Sequence, residues 1–279
     1  LRNLEARKEE VLRIIGEQDK LTPELEEAIK GAVILQEVED YYRPFRPKRR
    51  TRATIAKEKG LEPLAEIMIK QELTVGDRRL IAQPYINPEL GVDDPEQAIA
   101  GARDIIAEQI SDNADWRKII REYLWGNALL SSELKEETPE AAVYRQYHNY
   151  SEPVKKIPPH RVLAINRGEK EGYLKAGLQI ESSQLLLRLQ ALVLTNPGNI
   201  FADDLKTATE DSLNRLLLPS IEREIRTKLT EAGEEQAIKV FALNLRQLLL
   251  QPPIRGKIVM GIDPGFRTGC KIAVVDETG

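Results

Sequence analysis

Arg43-Pro44-Phe45-Arg46-Pro47-Lys48-Arg49-Arg50-Thr51-Arg52 puts six positive charges and no negative one into ten residues. Each of its prolines lacks a backbone donor and pushes the residue before it away from helical geometry. The stretch is therefore expected to be extended, polyproline-like and exposed, a basic linker between two helical regions. Upstream, Leu4, Val11, Leu12 and Ile15 fall on one helical face over residues 1–16, and Thr22-Pro23 supplies an N-cap and a first-turn proline for a second helix running to about Tyr42. Downstream, Ala53–Ala56 and Glu62–Gln71 read as two short helices joined at Gly60, a helix-turn-helix-like part over about residues 51–72. Small Ala56 permits close approach and Gly60 a positive φ. Glu62, Glu66 and Glu72 on the second helix would repel phosphate, which argues against groove reading.

Further along, Asp94-Pro95-Glu96-Gln97 reads as a capped helix start, with helices over 96–111 and 113–126 and more helix from Pro139. Arg161–Arg167 and Tyr173–Ile180 read as the strands of a β-hairpin, about 161–180, around Gly168–Gly172. Glu181–Leu194, Phe201 to about Leu229, and Glu234–Leu250 read as helices punctuated by Pro197, Pro219, Gly233 and Pro252-Pro253; Pro219 should kink its helix or begin a new one. From Lys257 the pattern changes to an apolar run, Ile258–Ile262, a Pro/Gly turn, and a second strand over Cys270–Val275. That is an antiparallel pair opening a domain that Gly279 leaves unfinished. Two regions follow, a helical one over 1–256 and the start of another domain over 257–279. Leu rather than Met at position 1 points to residues upstream.

The chain of 279 residues is 41% hydrophobic, 31% charged and 5% aromatic, a balance that suits a mainly α protein with a substantial core. One cysteine and two histidines give no disulfide and no Cys-based zinc site, so no metal or other cofactor is expected, and a reducing, cytoplasmic setting is. The most apolar run, Leu185–Leu194, is too short to span a bilayer, and no membrane partner is expected. Net charge is −4, of which +6 sits in the basic stretch, leaving −10 elsewhere. Any nucleic-acid contact must therefore be local.

Arg43, Arg46, Lys48, Arg49, Arg50 and Arg52 have two readings. They could pair with acidic helices of the same protein, or contact nucleic-acid phosphates with Tyr41, Tyr42 and Phe45 available for stacking. Asp263 also has two. A carboxylate after an apolar strand could hold Mg²⁺ as the first ligand of a two-metal nuclease, or simply cap its turn through the amides of Gly265 or Phe266. A complete metal site needs more carboxylates than this stretch supplies, so no catalytic residue is assigned beyond Asp263 as a candidate. His148 and His160 lack Asp or Cys partners in sequence, and Trp116 and Trp125 read as core.

Tyr42 through Ala56 and then Gly60-Leu61-Glu62-Pro63-Leu64-Ala65 closely resemble the N-terminal region of the bacterial Tex family of transcription accessory proteins. Pro219–Glu224, Ala237–Phe241, Asn244–Leu250 and Gly261–Cys270 resemble the same family in the same order. The resemblance implies a helical N-terminal region followed by a YqgF domain of the RNase H-like α/β class, related to resolvases, with helix-hairpin-helix and RNA-binding OB-fold parts beyond. It implies a fragment of a protein that binds RNA or DNA and works with the transcription machinery, and a fold similar to a eukaryotic elongation factor. Asp263 matches the first acidic position of the resolvases. A nuclease and a pure protein-interaction module are the alternatives.

Overall fold

The computed structural model describes residues 2–252, 254, 256–265, 267 and 269–278. The first three helices are α1 (Arg2–Gly16), α2 (Pro23–Gly31) and α3 (Leu35–Tyr42). Thr22 Oγ1 accepts the Leu25 amide at 3.3 Å with Pro23 in the first turn, as the N-cap reading requires. The second helix does not run unbroken to Tyr42. The backbone turns extended at Ala32, and the Glu37 carboxylate accepts the amides of Val33 (2.9 Å) and Ile34 (3.5 Å), capping a new helix at Leu35. Gly31, a poor helix former, sits at the break. These helices enclose their own core of Val11, Ile15, Ile29, Ala32, Val38 and Tyr42.

Arg43–Phe45 then forms one 3₁₀ turn, and only from Arg46 is the backbone extended. The expected extended stretch thus begins three residues late, because Pro44 occupies a first-turn position where no backbone donor is needed. Thr51 Oγ1 accepts the Thr54 amide (3.0 Å) and starts α4 (Arg52–Glu58); Gly60 at φ +77° turns the chain into α5 (Glu62–Lys70). After the short α6 (Arg78–Ala82), Asp94 caps the next helix as expected, Gln97 N donating to Asp94 Oδ1 (2.8 Å), while Gln97 Oε1 accepts from Asp93 N (3.1 Å), one residue before the donor that the capping box calls for. That helix is α7 (Pro95–Asp112), followed directly by α8 (Ala114–Asn127) capped by Asn113. α7 is the axis of the body: α4, α5, α6 and α11 (Ala202–Asp211) pack around it, and Ala98, Ile99, Ala102, Ile105 and Ile106 are fully buried. An added Cβ on Gly101 would lie 2.3 Å from Leu61, so glycine sets how closely the helix-turn-helix-like pair approaches α7.

A three-stranded antiparallel sheet follows, built from β1 (Leu129–Leu134), β2 (Asn149–Pro153) and β3 (Leu174–Gln179) in the order β2-β1-β3. Ser131 pairs with Ser151 on one side and Gly177 on the other. The hairpin expected over 161–180 is overturned. Its first half is helix α9 (Pro159–Lys170), which buries Val162 and Ile165, one helical turn apart, and starts after Pro158. Its second half is β3, whose partner is the distant β1. Glu140–Tyr147, expected as more helix, is a 3₁₀ run.

α10 (Ser182–Val193) and α11 follow as expected. Ser212–Leu217 then widens into a π-helical segment before α12 (Leu218–Leu249), and Pro219 stands in the first turn of α12. Gly233 does not end a helix. It lies inside α12 where α9 crosses, and an added Cβ would be 3.1 Å from Leu163 and 3.3 Å from the Pro159 carbonyl. The last elements are β4 (Val259–Gly265) and β5 (Gly269–Val275), an antiparallel pair with Ile262 opposite Ile272. Pro253, half of the expected Pro252-Pro253 punctuation, lies outside the described residues. The fold class is thus mainly α, ending in an antiparallel strand pair. Among the described residues, no helix is long and apolar enough to cross a membrane.

Candidate nucleic-acid interface

The six basic positions divide into two groups. Arg43 is half-buried with Nε 3.3 Å from Asp112 Oδ1 at the end of α7, and burial pushes its pKa down. Arg46 pairs with Glu39 and stands 5.4 Å from the Tyr42 ring centroid, its pKa also lowered by burial. A guanidinium starts so high that both stay charged. Lys48 pairs with Asp112 and, at 3.4 Å, with Glu108. This first half is a clamp between α3 and α7: Pro44, Arg46, Pro47 and Lys48 are exposed as expected of a linker, while Arg43 and Phe45 are half-buried and acidic side chains on two neighbouring elements pair with its cations.

The second half is open. Arg50 reaches Glu58 at 3.3 Å with its side chain 72% exposed, a pair of little strength in water. Arg49 and Arg52 are exposed and form no ion pair among the described residues. Arg52 begins α4 at the rim of a shallow depression floored by Ala56, Leu61 and Gly101 and flanked by Lys59. The reading as ion pairs with acidic helices of the same protein therefore holds for the first half, and the second half is left exposed.

Of the three aromatic residues only Tyr42 is withdrawn from solvent, and Tyr41 and Phe45 are partly buried. Tyr42 is buried between Arg7 (5.3 Å) and Arg46, while Tyr41 and Phe45 pack against the α1–α3 core. On the helix-turn-helix-like pair, α5 buries Leu64, Ala65 and Met68 and presents Glu66 to solvent, with Glu62 held by Lys57 at 2.6 Å. The order of two short helices joined at Gly60 is as expected, and the exposed acid on the second does not suit phosphate. His148 Nε2 lies 2.9 Å from the Ala141 carbonyl, His160 is exposed, and both tryptophans lie partly buried against the main core.

Asp263 sits in β4 opposite Lys271, both exposed; the Phe266 amide that could cap with it lies outside the described residues. Among the described residues, no three His, Cys, Asp or Glu side chains gather as a metal cluster.

Sequence reasoning passed over the most buried charge among the described residues. Arg117 on α8 is 0% exposed, and its Nε donates to Asp40 Oδ1 at 3.0 Å. It also donates to the Ser111 carbonyl (3.2 Å) and Ser220 Oγ (3.1 Å), and pairs with Glu224. Arg121, one turn on, grips Asp40 through both oxygens (2.9 and 2.7 Å) and Glu224 at 2.9 Å. In the sequence these arginines sit at ordinary helical positions among Lys118 and Glu122, so nothing marks them.

Residues 77–241, more than half of the chain, match the family model described as Tex central region-like, and residues 257–279 match the Tex protein YqgF-like domain. The chain is 49% identical to the protein YdcI of Bacillus subtilis over 282 residues, covering all of this chain and 39% of that protein. It is 41% identical to the protein tex of Bordetella pertussis, covering 96% of this chain and 36% of the relative. To the transcriptional accessory protein Tex of Neisseria gonorrhoeae it is 36% identical, covering 100% and 37%. The chain therefore spans less than two-fifths of the length of these curated relatives. The helical core around α7 and α12 and the terminal strand pair both fall within these matches, and the chain belongs to the Tex family.

Proposed function

We propose that this chain is the helical scaffold of a cytoplasmic transcription accessory protein that holds RNA or DNA by its phosphates without reading sequence. Arg49, Arg50 and Arg52 make the contact, and Arg43, Arg46 and Lys48 fix the segment that presents them. The carrying observation is the division of the basic segment: its first half is clamped by Asp112, Glu108 and Glu39, and its second half leaves three guanidiniums in solvent at the start of α4. Relatives named for transcription support the setting. No reaction and no cofactor is assigned to this chain.

The test is binding of a labelled single-stranded RNA and a duplex DNA to the full-length protein as salt is raised. Arg49→Glu with Arg50→Glu should weaken both and lower the slope of log K against log salt by about 2, one for each lost phosphate contact. An unchanged slope together with loss of a protein partner would make the segment a protein-docking site instead. Mg²⁺-dependent cleavage abolished by Asp263→Asn would replace the scaffold reading with a nuclease.

A further inference from the structure

The two apolar cores of the helical region have no buried residue in common. What lies between them is charge. Asp40 on α3, only 4% exposed, is held by Arg117 and Arg121 on α8, and both arginines reach on to Glu224 on α12. Outside this knot, Lys118 meets Glu37 at 3.3 Å, and Arg43 and Lys48 meet Asp112. By contrast, the pairs of Glu39 with Arg7 (2.7 Å) and with Arg46 tie α1, α3 and the first part of the tether to one another.

A joint made of ion pairs differs from one made of packed side chains. An apolar contact has no substitute partner in water, whereas a guanidinium exchanges one oxyanion for another at little cost, its fork fitting carboxylate and phosphate alike. A buried ion pair also stands close to balance between desolvation and attraction, and is costly to break only when a charge is left without a partner, which a phosphate taking the carboxylate's place avoids. We propose that α1–α3 separates from the body as a folded module, and that Arg117 and Arg121 beneath Asp40 then form a binding site for a phosphate polyanion. While Asp40 is in place the two guanidiniums face two carboxylates. Once it leaves they face Glu224 alone, and an anionic vacancy opens between two donors already aimed at oxygen. Asp40 is thus the internal occupant of the site, and the extended residues from Arg46 to Thr51 are the tether.

The experiment measures distances between spin labels in the full-length protein with Cys270, and any cysteine outside residues 1–279, replaced by serine. One pair, at Glu24→Cys and Glu122→Cys, spans module and body; a second, at Glu9→Cys and Glu24→Cys, lies within the module. All three sites are exposed. Inorganic polyphosphate should lengthen the first distance while sodium chloride at the same ionic strength does not, with the second distance unchanged under both. Asp40→Asn should show the longer distance without polyphosphate. Adding Arg121→Gln to Asp40→Asn should weaken polyphosphate binding by about tenfold or more, the worth of charge-assisted hydrogen bonds. A first distance that ignores polyphosphate, one that responds equally to chloride, or a second distance that changes along with it overturns the proposal. So does polyphosphate affinity indifferent to Arg121→Gln. If Asp40→Asn does not fold, the wild-type distances and Arg121→Gln alone decide. Arg49 and Arg50 are intact throughout, so failure here leaves the oligonucleotide test untouched.

Discussion

The body and the α1–α3 module are made of the same kind of amphipathic helix, yet their interiors are completed differently. Around α7 the body closes apolar side chain on apolar side chain, with Leu61, Leu64, Met68, Ile99, Ile105 and Ile106 at or near zero exposure. The module's core buries six apolar residues, the last of them Tyr42 between two arginines at its edge, and it meets the body through Asp40 and Glu37. Apolar packing fixes what each part is. Charge fixes how the two sit together, and charge is the contact that solution conditions can alter.

The largest test of that difference is Arg117→Met. Removing the guanidinium leaves buried Asp40 and half-buried Glu224 to share the single charge of Arg121, one negative charge then being uncompensated, with an expected cost of about 3–5 kcal/mol. Denaturant unfolding followed by separate probes in module and body should then split into two transitions; a single transition would show that the joint is not ionic in effect. Next in size, Ile15→Ala should cost about 2–5 kcal/mol from lost burial and the cavity left behind. Its loss should appear in the module transition alone, leaving the body near its wild-type midpoint, and a shift of both together would show one cooperative unit.

The smallest effect is on acid stability. Arg226, through its hydrogen bonds to the carboxylate, holds Glu169 in the body below the usual carboxylate range, and in the module the Val33 amide does the same for Glu37. A carboxylate with a depressed folded pKa contributes stability that is fully present above its unfolded value of about 4.3 and is lost as pH falls through the folded value. Glu169→Gln should therefore flatten the acid limb of the body transition, and Glu37→Gln that of the module. Both groups are partly solvated, which keeps the effect small.

Local chemistry made much of the helical region legible. Thr22-Pro23, the Asp94 and Gln97 pair, and Ala56 with Gly60 each work through groups within a few residues of one another, so the sequence carries the whole interaction. The sheet was not legible in the same way. β1 is the central strand, yet it carries Ser131 and Ser132, buried only because Ser131 Oγ finds the Gly177 carbonyl (3.1 Å) and Ser132 Oγ the Tyr147 carbonyl (2.7 Å). Residues 161–167 looked strand-like because Val162, Leu163, Ala164 and Ile165 form an apolar run, and their helical state follows from packing against α12. Gly233 looked like a stop and is a crossing point.

The candidate site divides along the same line. That Arg43–Arg52 is strongly basic, that Pro44 and Pro47 interrupt the helices, and that the chain resembles the Tex family are all contained in the order of residues. Which cations stay free was decided only when α3 and α7 brought Glu39, Glu108 and Asp112 beside the first half of the segment and left Arg49 and Arg52 in solvent. Arg117 became the most buried charge among the described residues for the same reason. Its partners lie 77 residues before it and 107 after, and a pairing across such separations exists only once the helices that carry it have packed.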